Sequence, residues 1–405
     1  MVSASGPGLA LTFLLVVPLI FAVPISLAAA EMATAMPVEG GFYRWSRAAL
    51  GDFWGFQSGW WNWTGTFLMS ASYGVAMADY LDAWIPLHSR LQHWVVAVLF
   101  LGLVALINVL GIRLVGQLTL LLLVASFIPV IAFIFLGYHQ AHFNPFHPFF
   151  PAGKPWREAY GVGLSLALWS YAGYEQLSTV IEEVDNPRRN FPLGLAIVIP
   201  LTIATYVCTL SAGLAALGNW QVWETGYMVT AARLVGGAGL GTAMFAAAAI
   251  ANFILLESTM LSVTRVPLTM AEDGYLHSGL ARVDARFGTP VRSILLTAVF
   301  CALLAVFTVP QLIAVYAWSR IATSTLTLIS FWQMRRKSPE LPRSFRVGGG
   351  TVGALTVVIL PLLLFAWALF NSDATTRLWG TISLISGPVA YGWIGRRRAV
   401  AKGSA

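Results

Sequence analysis

Glu175 is a carboxyl inside an apolar run, and it closes the segment Trp169-Ser170-Tyr171-Ala172-Gly173-Tyr174. An acidic group near the centre of a membrane helix costs roughly 2.5–3.5 kcal/mol on insertion scales, so it faces a cavity, is protonated, or hydrogen-bonds a neighbouring helix. Ser170 and Tyr171 add polar groups to the same run. Gly173 admits dihedrals that other residues avoid and lowers helix stability by about 1 kcal/mol, which favours a break; close helix packing is the other use of such a glycine. Trp169 and Tyr174 can wall a pocket or stack on a cation, with Ala172 between them. Glu257 and Asn252 share a second run, about one and a half turns apart. Arg320 sits near the middle of a third, where a lone guanidinium needs a carboxylate, so a pair with Glu257 or Glu175 is expected. Thr66, Ser70 and Tyr73 recur at helical spacing and line either a site or a polar seam between helices.

The elements that must hold these groups are membrane helices. Hydrophobic residues make up 58% of the 405 and charged residues 10%, whereas soluble domains carry about 25% charged residues. Apolar runs near the length of about 20 residues needed to span fall at 9–30, 54–81, 91–110, 114–138, 162–181, 193–217, 240–263, 294–308, 312–334, 352–370 and 378–393. Short loops join them, which predicts one transmembrane domain over 1–405. Residues 218–239 form a longer link, with a surface helix expected over 222–234. Sixteen Trp and twelve Tyr suit two interfacial belts.

Orientation follows from the basic residues. Eighteen of the 24 Lys and Arg fall in one alternating set of loops, which the positive-inside rule places in the cytoplasm. The net charge of +7 is then a topology signal, and no nucleic-acid partner is expected. Glu31 falls at the cytoplasmic end of its run and reads as a structural or gating carboxylate. Residues 394–405 are expected to be a short basic cytoplasmic tail. Asp185, Arg188 and Arg189 read as a gate or a solvated turn. Eleven spans with a cytoplasmic C-terminus put Met1 outside, and residues 1–8 hold no export signal, so an upstream span is expected.

Several chemistries lack their residues. There is no Walker motif for direct ATP drive and no His-Glu-x-x-His for a membrane-embedded metalloenzyme. His139, His142 and His147 cluster without an acidic or Cys partner, which favours a solvated loop over a metal site. Cys208 and Cys301 lie inside apolar runs with no ligand spacing. No cofactor is implied.

Ordered motifs carry a resemblance. Ser5-Gly6-Pro7, then Ala30-Glu31-Met32-Ala33-Thr34, Pro37 and Gly40-Gly41, lead into Trp54-Gly55-Phe56-Gln57 and Gly59-Trp60. Leu168 to Glu175 leads into Glu182-Glu183-Val184, Asn186-Pro187-Arg188-Arg189 and Pro192. Gly288-Thr289-Pro290 and Pro342-Arg343-Ser344-Phe345-Arg346-Val347 follow. The set resembles the amino acid–polyamine–organocation superfamily, and its first hundred residues are most similar to polyamine-uptake and related amino acid permeases. That resemblance implies the all-α leucine-transporter fold, with two inverted five-helix repeats. It aligns the eleven runs with family helices two to twelve of twelve.

Such proteins carry amino acids or polyamines by alternating access, and proton coupling is expected here. Helices one and six break at the midplane, where half-helix termini bind charged substrate groups. The helix-six break maps onto Ser170–Gly173. Glu175 matches an acidic position given a proton-sensing role in an arginine/agmatine antiporter of the family, which implies that it relays a proton or holds a cationic amine. Glu257, Asn252, Arg320 and Glu31 are the other candidates for coupling or gating. The run at 114–138 contains no Lys, so the helix-five lysine that replaces sodium in some members is not seen. Two alternatives remain open, a shortened permease unable to transport and a membrane-embedded enzyme. Oligomeric state is left open.

Overall fold

Proline and glycine set the ends and kinks of the helices. The first run becomes α1 (Pro7–Ala35). Pro7 lies in its first turn, where its missing N–H leaves nothing unpaired. Pro18 removes a donor inside the helix, which kinks at Phe21 (φ −118°, ψ −66°). Gly40 and Gly41, both at positive φ, turn the chain tightly against Thr269 and Ser178. A short helix α2 (Phe42–Leu50) follows and buries Phe42, Tyr43 and Trp45. The remaining helices are α3 (Asp52–Asp82), α4 (Arg90–Leu110), α5 (Ile112–His139), α6 (Trp156–Ser170), α7 (Pro187–Leu217), α8 (Tyr227–Val263), α9 (Arg265–Glu272), α10 (Val291–Leu304), α11 (Val309–Lys337), α12 (Gly350–Phe370) and α13 (Ala374–Gly403). A 3-10 segment, Tyr174–Glu183, joins α6 to α7.

The computed structural model describes residues 1–82, 85–223, 226–372 and 374–403; the side chains of 112–115, 118, 157, 158 and 395–403 also lie outside the description. No β-strand occurs among the described residues, and the apolar runs fall mainly on helix, though the run at 162–181 is interrupted at 171–173 and the run at 294–308 leaves the helix after Leu304. Among the described residues, seven helices are long and apolar enough to cross a membrane: α1, α4, residues Thr119–His139 of α5, α7, α8 with α9, α11 and α12. Among the other runs, α3 is diluted by polar residues that it buries, including Gln57, Asn62, Thr66 and Ser70, and α10 has only 14 residues.

The burial pattern suits hydrocarbon. On α5, Leu120, Leu121, Val124, Ile128, Ile131 and Phe135 are exposed, and their spacing follows one helical face. An exposed apolar stripe over a polar-containing interior is stable only where the surroundings are apolar. The interior is built around α3, which packs against α11, α4, α8, α10 and α13.

Two expected elements differ in extent. The link at 218–239 forms a 3-10 turn, Trp220–Val222, and helix resumes only at Tyr227 after Gly226 at positive φ. That helix then breaks at Gly236 (φ −125°, ψ 16°) and Gly237 (φ 77°, ψ −176°) before the span proper. At the C-terminus, α13 continues as helix to Gly403, across most of the segment expected as a tail.

The loops segregate to two ends of the bundle. At one end Glu31 meets Arg335 and Arg343, Arg44 meets Glu272 and Asp273, and Arg265 meets Glu183. Elsewhere Lys154 reaches the Ser3 carbonyl, Gly8 N–H reaches Pro148, and His142 N–H reaches Ala215. Every residue in the first group belongs to the loops rich in Lys and Arg, and those in the second to the other set of loops or to a helix end beside it.

Candidate functional site

The run that holds Glu175 is interrupted where the glycine stands. Ser170 turns its hydroxyl back to the Leu166 carbonyl (2.8 Å), Tyr171 and Ala172 close the last turn of α6, and Gly173 takes φ +114°. No atom lies within 4 Å of where a Cβ would stand on Gly173. Its role is therefore conformational, and the close-packing reading is not needed. α6 thus ends at the break, and the carbonyl end of a helix carries partial negative charge.

The aromatic residues around the break have different tasks. Trp169 donates Nε1–H to the Met69 sulfur (3.3 Å) on α3. Tyr171 is 1% exposed and donates its hydroxyl to the Leu14 carbonyl (2.7 Å), so it straps the break to α1. Its ring meets Tyr206 edge-on at 5.6 Å. Tyr174 begins the 3-10 segment and interacts with Thr202 of α7.

Arg320 of α11 pairs with Glu175, not Glu257. Both side chains are buried, and Ser324, one turn along α11, donates to the same carboxylate oxygen at 3.1 Å. Glu257 instead faces α5, where Thr119 donates to it at 2.9 Å. Asn252 donates to the Tyr73 carbonyl at 2.7 Å and joins α8 to α3.

The polar set on α3 divides between two faces. Asn62, Thr66, Met69 and Tyr73 share the side turned to the break and α8: Asn62 donates to Gln176 (3.2 Å), Met69 receives Trp169, and Tyr73 receives Asn252. The Thr66 hydroxyl bonds its own helix at Asn62. Ser70 is turned to α10, beside Cys301, on the face from which Trp63 donates to Thr297 (3.1 Å). Sequence spacing alone put Ser70 with Thr66 and Tyr73. Gln176, Asn62 and Ser324 were not singled out from the sequence; the signal available was a carboxamide or hydroxyl inside an apolar run.

The basic end is a second polar centre. Glu31, 1% exposed, accepts a two-pronged bond from Arg335 (Nε–Oε1 2.7 Å, Nη2–Oε2 2.8 Å), an ion pair from Arg343 (3.2 Å) and the Val347 N–H (2.8 Å). Beside α2, Asp273 accepts from Arg44 (2.8 Å), Arg47 (2.6 Å) and the Tyr43 hydroxyl (2.6 Å). Burial, then the Asp273 carboxylate, push the Tyr43 phenol above its ordinary range. A cavity of about 600 Å³ opens here, between Glu39, Glu182, Glu272, Arg44 and Arg47. Burial pushes the Glu39 carboxyl up to about 7, against the pull of Arg265. Asp185, Arg188 and Arg189 are exposed at the surface.

Comparison with known proteins places this architecture. The amino acid permease family model matches residues 1–388. A probable polyamine transporter of Arabidopsis thaliana is 30% identical over 388 residues, covering 95% of this chain and 77% of that protein. A polyamine transporter of Oryza sativa subsp. japonica is 31% identical over 404 residues, covering 97% and 72%. The branched-chain amino acid permease BcaP of Lactococcus lactis is 26% identical, covering 97% and 88%. With its membrane-capable helices and motifs in order, the chain belongs to the amino acid permease family of the amino acid–polyamine–organocation superfamily.

Proposed function

We propose that this permease is a proton-coupled secondary carrier, and that its substrate is a polyamine or a cationic amino acid taken at the α6 break. The observation that carries the reading is the interrupted helix. The carbonyl end of α6 lies between Trp169 and Tyr174 in the chain, and Asn62, Thr66 and Tyr73 of α3 stand on the helix side turned to the break. A helix C-terminus and aromatic faces both favour an amine cation. The polyamine transporters among the relatives point the same way. Glu175 is neutralised by Arg320, so its part is to set the local field and to hold α11 to the break, rather than to bind the substrate alone.

In this reading α6 opens the second of two inverted repeats, and alternating access moves the bundle around the break. The end rich in Lys and Arg, with the C-terminus, faces the cytoplasm of an integral cell membrane protein. Uptake by proteoliposomes of the purified protein tests it, with labelled spermidine, arginine and leucine at two external pH values. Spermidine or arginine uptake that exceeds leucine uptake and rises with an inward proton gradient is the expected result. Transport of leucine alone would overturn the substrate assignment.

A further inference from the structure

Glu257 is buried at 1% exposure on α8, and its two carboxyl oxygens are treated differently. Oε2 accepts from the Thr119 hydroxyl of α5 at 2.9 Å and from Ser258 at 3.5 Å. Oε1 has no partner. The facing helix α4 holds a second deprived acceptor. Asn108 of α4 donates its amide to the Val104 and Glu257 carbonyls (3.1 and 3.4 Å), and its own Oδ1 is buried without a donor. Two buried acceptors in one seam lack a donor, and a protonated carboxyl supplies one.

Among the described residues, the groups that face this seam offer no cation in place of the proton. α4 contributes Ile107 and Asn108, α5 contributes Thr119, and the 3-10 segment contributes Val180, packed with Leu261. On the 3-10 segment Glu175 is held by Arg320 and Glu183 by Arg265, which begins α9. Glu182 accepts from the Glu39 N–H. On α4, His93 faces Asp82 near the far end, with Arg90 beside it. α3 meets α8 a turn earlier, at Tyr73 and Asn252. On α7, Tyr206 lies by Tyr171. The Arg113 side chain of α5 lies outside the described residues. Among the described residues, Thr119 and Ser258 are the hydrogen-bond partners of the carboxyl.

We infer that Glu257 is the residue that binds the coupling proton, in the seam between α8, α5 and α4. The inference rests on the proton-coupled reading above and adds where the proton rides. Of the three carboxyls buried among the described residues, Glu31 and Glu175 are paired with arginines, and Glu257 has no such cation and needs a proton to be neutral. The proton arrives from water onto the carboxyl while the seam is open to one side. It leaves to water as hydronium when the seam opens to the other, with no other bond made or broken.

The test compares wild type with Glu257→Gln, Glu257→Asp and Thr119→Ala in proteoliposomes, using labelled spermidine and arginine. Two readouts are taken: uptake driven by an inward proton gradient, and substrate exchange with no gradient. Glu257→Gln is expected to keep exchange and lose the response to the proton gradient. Glu257→Asp is expected to restore that response, and Thr119→Ala to shift its pH midpoint. If Glu257→Gln responds to the gradient as wild type does, the inference is wrong. Loss of exchange by a Glu257→Gln protein that melts normally would also overturn it, as would wild-type uptake driven by sodium at constant pH. Wild-type uptake indifferent to both gradients would overturn the coupled reading itself. Should Glu257→Gln fail to fold, the pH midpoint of Thr119→Ala decides, and an unchanged midpoint counts against the proton site.

Discussion

Arg320 and Glu175 form an ion pair across the helix break, with side-chain exposures of 5% and 4%. Glu175 sits in the first turn after Gly173, and Arg320 comes from α11, the helix that packs most extensively on α3. The pair therefore joins the broken segment to the centre of the bundle. Removing one partner of a buried pair leaves an uncompensated charge, whereas removing both leaves only a packing defect.

Glu175→Gln and Arg320→Gln are each expected to destabilise the protein by about 3–5 kcal/mol, and the double variant by less than the sum of the two. Thermal melting of the three proteins in detergent checks this. Single variants that melt with wild type would mean that the two charges are solvated in the membrane.

Much of this site is legible in the sequence, because charges and glycines inside apolar runs are conspicuous. The break at Gly173 follows from one residue type in one place. That Arg320 needs a carboxylate also follows. Which carboxylate does not, since Glu175 and Glu257 both lie inside apolar runs and only the packing of α11 against the 3-10 segment decides. The division of Thr66, Tyr73 and Ser70 between two faces of α3 is equally a matter of what surrounds the helix. The cluster of Glu39, Glu182, Glu272 and Asp273 was not visible, because its members are far apart in sequence and each alone reads as a loop charge.

The Glu31 carboxylate gathers Arg335, Arg343 and the Val347 N–H. It thus anchors the loop after α11 to the end of α1. Glu31→Gln keeps the shape but strands two guanidinium groups, and a loss of about 3–5 kcal/mol is expected. Limited proteolysis should cut residues 338–349 faster in the variant. Cutting at the wild-type rate would show that the loop is held by other contacts.

Gly173→Ala isolates the backbone of the break. A methyl group meets no atom within 4 Å, so steric collision contributes nothing, and the cost comes from φ +114°. Left-handed backbone costs a non-glycine residue roughly 1–2 kcal/mol. Melting should fall modestly, while substrate uptake falls much further because the geometry of the break shifts. Gly65 is the control: a methyl there comes within 3.0 Å of the Ser319 Cβ on α11, so Gly65→Ala should affect melting more than the break. Unchanged uptake by Gly173→Ala would separate the break from transport.

Glu39 gives the basic end a pH dependence whose sign is fixed. Burial raises its carboxyl from 4.5 to about 7; Arg265 opposes the shift, and Glu183, Glu182 and Glu272 add to it. Between those values the folded protein holds a proton that the unfolded chain has released, so stability falls as pH rises. The contribution is complete below about 4.5 and is lost as pH passes through about 7. Glu39→Gln resembles the protonated form at every pH. The variant should match wild type near pH 4.5 and exceed it in melting temperature above pH 7, with the gap opening between. Its carboxamide also removes one negative charge from the cavity shared with Glu182 and Glu272, so the effect should shrink in high salt only as far as that exposed repulsion contributes. Melting curves of both proteins across this range, at two ionic strengths, make the comparison. A variant that is no more stable than wild type above pH 7 would mean that the Glu39 carboxyl is already ionised without cost in the folded protein.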